Sequence, residues 1–178
     1  MTSAQDLQAQ GVKLFGQKEY EAAARVFSQA LEQYQAEGQS SLAAEMQVNL
    51  GLVHRALGEQ QQALDAMQEA LHTFESSGDR LHTAMTLGNI GGVYAALGDK
   101  EQAYNCYRNA ADLFDELGEK KLHGETLVAM ASLQMRDGKI SASAATYEVG
   151  LSELDELSAS QKMLKGLIGI RNKLTGGN

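Results

Sequence analysis

Four histidines, one cysteine, a run of glycines and two asparagines in register are the residues of this chain whose chemistry could build a site. His54, His72, His82 and His123 show no His-Glu-x-x-His spacing, so no two imidazoles lie one helical turn apart with a carboxylate between them to hold zinc and activate water. At a step of 40 residues, Cys106 shares a column with Val26, Ala66 and Thr146, which asks for a small packed side chain and assigns no nucleophile. The glycines recur at the spacing of turns between helices, not as a loop that cradles phosphate. No catalytic residue, metal or cofactor is expected, and the chain reads as a binding protein, not an enzyme. Asn49 and Asn89 are a different case. A carboxamide both donates and accepts, so two of them 40 residues apart could hold the backbone of a bound segment or could bridge neighbouring repeats.

The elements that position these residues are written four times. Gly11, Gly51, Gly91 and Ala131 are spaced by 40, as are Ala23, Ala63, Ala103 and Ser143. Phe27, Met67, Tyr107 and Tyr147 form a further column, followed by Ala30, Ala70, Ala110 and Gly150 and by Tyr34, Phe74, Phe114 and Leu154. Within one copy Leu87, Ile90, Gly91 and Tyr94 recur at the i, i+3, i+4, i+7 positions of one helical face. Gly58, Gly98 and Gly138 then stand where a helix ends, and a second apolar-periodic segment begins a few residues later. Gly38, Gly78 and Gly118 close the second helix in the same way, Ser158 replaces the glycine in the fourth copy, and Asp79 or Glu119 suits the electropositive start of the next helix. Small residues let the two helices cross closely, so Ala63 is expected to face Gly51 and Ala103 to face Gly91.

The expected architecture is all-α, an α-solenoid of four hairpins over residues 1–38, 39–78, 79–118 and 119–158. A capping helix over 159–174 follows, with Met163, Leu164, Leu167, Ile168 and Leu174 as its apolar stripe, and 175–178 as a frayed tail. A formal charge of −8, without a basic stripe to offset it, disfavours nucleic acid and anionic lipid surfaces. No run of apolar residues is long enough for a membrane span, and the first residues have neither the basic nor the apolar part of a signal peptide. With a single cysteine, a reducing, cytoplasmic setting is the natural expectation.

These columns resemble the tetratricopeptide repeat, with Leu87, Ile90, Gly91 and Tyr94 in the first helix and Ala103, Tyr107 and Ala110 in the second. The family's usual period is about 34 residues, and the longer step here is similar to the repeats of kinesin light chains and Pins-type cell-polarity adaptors. The phrase Leu87-Gly88-Asn89-Ile90-Gly91-Gly92-Val93-Tyr94 is especially close to the latter. The family's proline at the end of the second helix is absent, Gln10 and Gln47 replace apolar residues, and Ser143 and Gly150 weaken the fourth repeat. The resemblance implies a right-handed superhelix whose concave groove, lined by first helices, holds a peptide or helix of a protein partner. It does not imply an enzyme.

The stripe beside each hairpin face should line that groove. It reads Gln5, Gln8, Ala9, Val12 and Phe15 in repeat one and Glu45, Val48, Asn49, Leu52, Arg55 and Ala56 in repeat two. Repeat three gives Met85, Gly88, Asn89, Gly92, Ala95 and Ala96, and repeat four gives Glu125, Val128, Ala129, Ser132, Met135 and Arg136. Arg80, His82, Lys120, Lys121 and His123 precede two of these stripes, either as a site for an acidic segment or, preferably, as solvated charge. Self-association into a homodimer through the fourth repeat and the cap is the alternative function, and a small-molecule sensor would need a closed pocket. Members of the family that bind chaperone tails use a clamp of Lys and Asn, whereas the matching positions here are Gln8/Val12, Val48/Leu52 and Gly88/Gly92. A peptide ending in Glu-Glu-Val-Asp should therefore show no binding by calorimetry, and saturable micromolar titration would overturn that expectation.

Overall fold

A computed structural model describes residues 2–175. Its helices pair as α1 (Ala4–Gly16) with α2 (Tyr20–Ala36), α3 (Ser40–Leu57) with α4 (Gln60–Ser77), α5 (Arg80–Leu97) with α6 (Lys100–Leu117) and α7 (Lys120–Arg136) with α8 (Ile140–Ser152). A ninth helix, α9 (Ala159–Thr175), follows. Each second helix also packs on the first helix of the next pair, and α5 touches both α3 and α7. The first helices thus form an inner layer and the second helices an outer one, the hairpin solenoid expected of the repeat. Isolated helices of this length are marginal in water, so burial against the neighbours is what holds each of them.

The turns recur every 20 residues. Gly38, Gly58, Gly78, Gly98, Gly118 and Gly138 all adopt positive φ, and Lys18 takes the same place in the first repeat with φ 63°. At every one of these turns the next residue's N–H donates to a carbonyl five positions back, as from Glu59 to His54 (2.8 Å) and from Asp79 to Phe74 (2.9 Å). The chain then enters the next helix directly. Asp79 caps α5, its carboxylate accepting from the His82 N–H at 3.1 Å, and Asp99 caps α6 in the same way. Glu119 opens α7 without a side-chain cap.

Inside the hairpins the helices cross closely at the glycines, with Ala63 near Gly51 as expected but Tyr107 and Cys106, not the expected Ala103, nearest to Gly91. A Cβ at Gly11 would meet the Phe27 ring at 2.5 Å, and one at Gly51 would meet Met67 Cγ at 2.6 Å and the Ala63 carbonyl at 3.1 Å. Ser143 and Gly150, which depart from the repeat pattern, each make a close contact between α7 and α8. The Ser143 hydroxyl, fully buried, donates to the Ala131 carbonyl at 2.9 Å, which ties α8 to α7. Gly150 faces Gly124: a Cβ on the former would lie 2.8 Å from the carbonyl of the latter, where the other repeats place Ala30, Ala70 and Ala110.

The C-terminal end departs from the repeat. α8 stops at Ser152, and residues 153–158 leave the helix, with Leu154 and Leu157 packed on the core formed by Ala131, Ala144, Tyr147, Leu151 and Ile168. Ser158 is therefore not a substitute for a turn glycine; its hydroxyl accepts from the Gln161 N–H at 3.3 Å and its own N–H donates to the Gln161 side chain at 2.8 Å, capping α9. The expected apolar stripe of the cap divides. Ile168 is buried and Leu164 half-buried, whereas Met163 and Leu167 are 67% and 57% exposed. The side chain of Leu174 and residues 176–178 of the expected tail lie outside the described residues, and Thr175 closes α9.

Because the two nearest neighbours of Gly150, the Gly124 carbonyl and Leu127 Cβ, cannot swing aside, Gly150→Ala should lower stability by about 1–3 kcal/mol. Gly51→Ala presses mainly on the flexible Met67 thioether and should cost less. Urea unfolding of the two variants tests this, and equal losses would contradict the close α7–α8 crossing.

Candidate groove between the first helices

Two neighbouring hollows open on the inner layer, and they are copies of one another. The first, about 150 Å³, is lined by Glu45, Val48 and Asn49 from α3, Phe74 from α4, and His82, Met85, Thr86 and Asn89 from α5. The second, about 220 Å³, is lined by Met85, Gly88 and Asn89 from α5, Phe114 and Tyr107 from α6, and Leu122, Glu125, Thr126 and Ala129 from α7. Adding 40 to each residue number of the first hollow yields eight of the nine residues of the second. Met85 and Asn89 form the wall they share. Larger hollows flank this pair, one of about 380 Å³ around Gln5, Gln8, Tyr34 and Leu42 and one of about 510 Å³ around Lys121, Glu125, Leu154 and Glu156.

The chemistry shifts along the row. In the first hollow the His82 ring stacks on Phe74, with centroids 5.0 Å apart, and its Nδ1 lies 2.8 Å from Asp79 Oδ2. Its Nε2 is 3.9 Å from Glu45 Oε1. In the second hollow Leu122 stands in the place of His82 and Gly88 in that of Val48, and the hollow is larger. Partial burial works to raise the Asp79 pKa, but hydrogen bonds from the His82 backbone and ring outweigh it and hold the carboxyl below its ordinary value. Asn49 and Asn89 are both half-buried, and no hydrogen bond to either carboxamide occurs among the described residues. Two groups able to donate and accept thus line the hollows.

Of the residues expected in the groove, Glu45, Val48, Asn49, Met85, Gly88, Asn89, Glu125 and Ala129 come together around these two hollows. Gln8 lies at the N-terminal hollow, where it accepts from the Tyr34 hydroxyl at 2.9 Å and donates to Glu45 at 3.4 Å, linking the first two repeats. Leu52 packs on the Met67 and Ile90 cluster, and Val128 on the core beside Tyr147. Arg55 reaches across to Gly92, whose added Cβ would stand 2.9 Å from the guanidinium. Ser132 is engaged with the Tyr147 hydroxyl at 2.5 Å. Val12 and Arg136 are exposed away from the hollows, and Met135 lines a separate cavity against α9.

The expected basic cluster is mostly engaged internally: Arg80 pairs with Glu116, His82 with Asp79, and His123 with Glu153 at 2.6 Å. His54 bonds Glu59 at 2.7 Å. Phe74, Tyr107, Phe114, Leu122, Thr86 and Thr126 were not expected in the groove. The column of Tyr34, Phe74 and Phe114 was visible in the sequence, but as core. No group of three or more metal-binding side chains occurs among the described residues. Burial, aided by Asp99, pushes the Cys106 thiol pKa up, the opposite of an activated nucleophile.

A family model described as "SNAP: Soluble NSF attachment protein, SNAP" matches residues 4–166. The chain belongs to the SNAP family. The crystal structure of BtubC (BKLC) from P. vanneervenii has the same fold, with a TM-score of 0.79 at 14% identity over 97% of this chain and 73% of that one. No curated protein matches by sequence. The tetratricopeptide likeness therefore holds at the level of the helical-hairpin repeat that members of the SNAP family share, and the family is one of adaptor-type scaffolds. No helix among the described residues is long and apolar enough to cross a membrane.

Asp79 links the scaffold to the groove, since one carboxylate caps α5 and orients His82. Asp79→Ala should cost about 1 kcal/mol near neutral pH. A folded pKa below the unfolded one contributes stability above the unfolded value and loses it on acidification, so the difference from the parent should fade as pH falls below about 4. Thermal melts across that range test this, and a difference that persists unchanged would show that the carboxylate is not its source.

Proposed function

We propose that the chain is a protein-interaction adaptor that holds a segment of a partner along its inner layer. The observation that carries this reading is the repetition of one hollow at a step of one repeat, with an open carboxamide at each copy. A bound segment running across the first helices meets the same arrangement twice, so two of its side chains can enter successive hollows while Asn49 and Asn89 bond its backbone. The floor of Val48, Met85, Phe74, Phe114 and Leu122 favours apolar anchors, and Met85 adapts its shape to either neighbour. The alternative that the asparagines bridge repeats draws no support from the hydrogen bonds, whereas Gln8 does bridge them. These two hollows are smaller than the roughly 300 Å³ at which ligand pockets begin, which favours single side-chain anchors over a small molecule there.

The family description itself names an attachment protein, there for NSF. Which protein this chain holds is the matter for experiment. The intact protein and Asn49→Ala/Asn89→Ala are used to capture partners from native lysate, with circular dichroism to check that both are folded. A partner retained by the parent and reduced at least about tenfold by the variant, as expected for two lost hydrogen bonds, supports the groove. A partner that binds both equally places the interaction elsewhere, and a variant that melts early makes the asparagines structural.

A further inference from the structure

Helix α9 carries two apolar faces, and only one is covered. Leu164 and Ile168 pack on the end of the solenoid, whereas Met163, Leu167 and Ile170 are 67%, 57% and 57% exposed. Those three continue columns that are packed in the preceding first helices. Forty and eighty residues earlier stand His123 and Thr83, Leu127 and Leu87, and Met130 and Ile90, every one buried or half-buried. Ile90 is covered by Ala63, Leu64 and Met67 of α4, and Leu87 by Ala110 and Phe114 of α6. The exposed stripe of α9 is thus the stripe on which second helices of this repeat dock, and no described residue occupies it.

We propose that this stripe is a second docking surface, for an acidic amphipathic helix of a partner protein that packs on α9 as a second helix packs on a first. Charge decides the occupant. In a chain of net charge −8, α9 contains Lys162, Lys165, Arg171 and Lys173 and no acidic residue. Lys162 and Lys173 flank the stripe on the side away from the core, by the geometry of the helix. The second helix that buries Ile90 shows the matching chemistry, for α4 bears Asp65, Glu69 and Glu75 and no Lys or Arg. A second copy of this chain docking through its own α9 would bring two cationic helices together, which opposes that pairing. Beside Leu167, a cavity of about 160 Å³ lined by Met135, Ile140, Ala144 and Tyr147 can take one apolar anchor from the docked helix.

The probe is a fluorescent peptide with the α4 sequence, Gln60–Ser77, and the control is the same peptide with Asp65→Lys, Glu69→Lys and Glu75→Lys. Both are titrated by anisotropy against the full chain, against Leu167→Asp/Ile170→Asp, and against Lys162→Glu/Lys165→Glu/Lys173→Glu. All substituted side chains are exposed, and circular dichroism checks that both variants fold. The acidic peptide should bind at least about tenfold tighter than the lysine peptide, a difference of about 1.4 kcal/mol. Both variants should lose that binding. Equal binding of the two peptides, binding undiminished in the Leu167/Ile170 variant, or no binding up to about 1 mM overturns the proposal. So does a homodimer, seen by light scattering, that the Leu167/Ile170 variant disperses, since the face would then belong to a second copy.

Discussion

The close crossing of two helices at small residues is the constraint on which the rest of this structure depends. Gly11 against Phe27, Gly51 against Met67 and Gly91 against Tyr107 leave no room for a methyl group between the helices of a pair. A second contact sets the other end of each crossing, with Ala44 beside Ala70, Ala84 beside Ala110 and, closest, Gly124 against Gly150. Since packed interiors tolerate neither gaps nor overlap, these contacts set the rotation of each first helix about its own axis. That rotation commits one face to the hairpin and turns another toward the inner layer.

Seven turns of one kind keep this arrangement in step. A left-handed residue every 20 positions, followed by a hydrogen bond back to the helix just completed, gives the connections of the four hairpins one geometry. Identical connections and identical crossings repeat each hollow of the inner layer at the period of the sequence. What varies is chemistry. His82 and Val48 in one copy become Leu122 and Gly88 in the next, so one shape recurs with different side chains. Where the repeat breaks, after Ser152, the crossing contacts also end, and α9 attaches through Leu164 and Ile168.

Much of this was legible in the residues because it depends on local spacing. The hairpins, the turn glycines, the Gly51–Ala63 approach and eight residues that line the two hollows follow from a 40-residue column read with helical periodicity. Several features were not legible, each for an identifiable reason. Gly150 reads as a weak helix residue until Gly124 is placed opposite it, since the benefit of a glycine lies in its neighbour's position. Phe74 and Phe114 read as core, and they are buried, yet one edge of each ring also forms a wall of a hollow. His82 reads as one of a basic cluster, but it meets Asp79 from the turn before α5, Phe74 from α4 and Glu45 from α3.

By itself the sequence determined the all-helical class, the period and the repeated hairpin, because each arises from contacts between residues close along the chain or one period apart. Only the tertiary structure decided which inner residues share a hollow, that Gln8 is engaged while Asn49 and Asn89 are open, and which face α9 buries. Those outcomes depend on how each helix is rolled against partners from other repeats, and that roll is set by the summed packing of many side chains instead of by the type of any one residue.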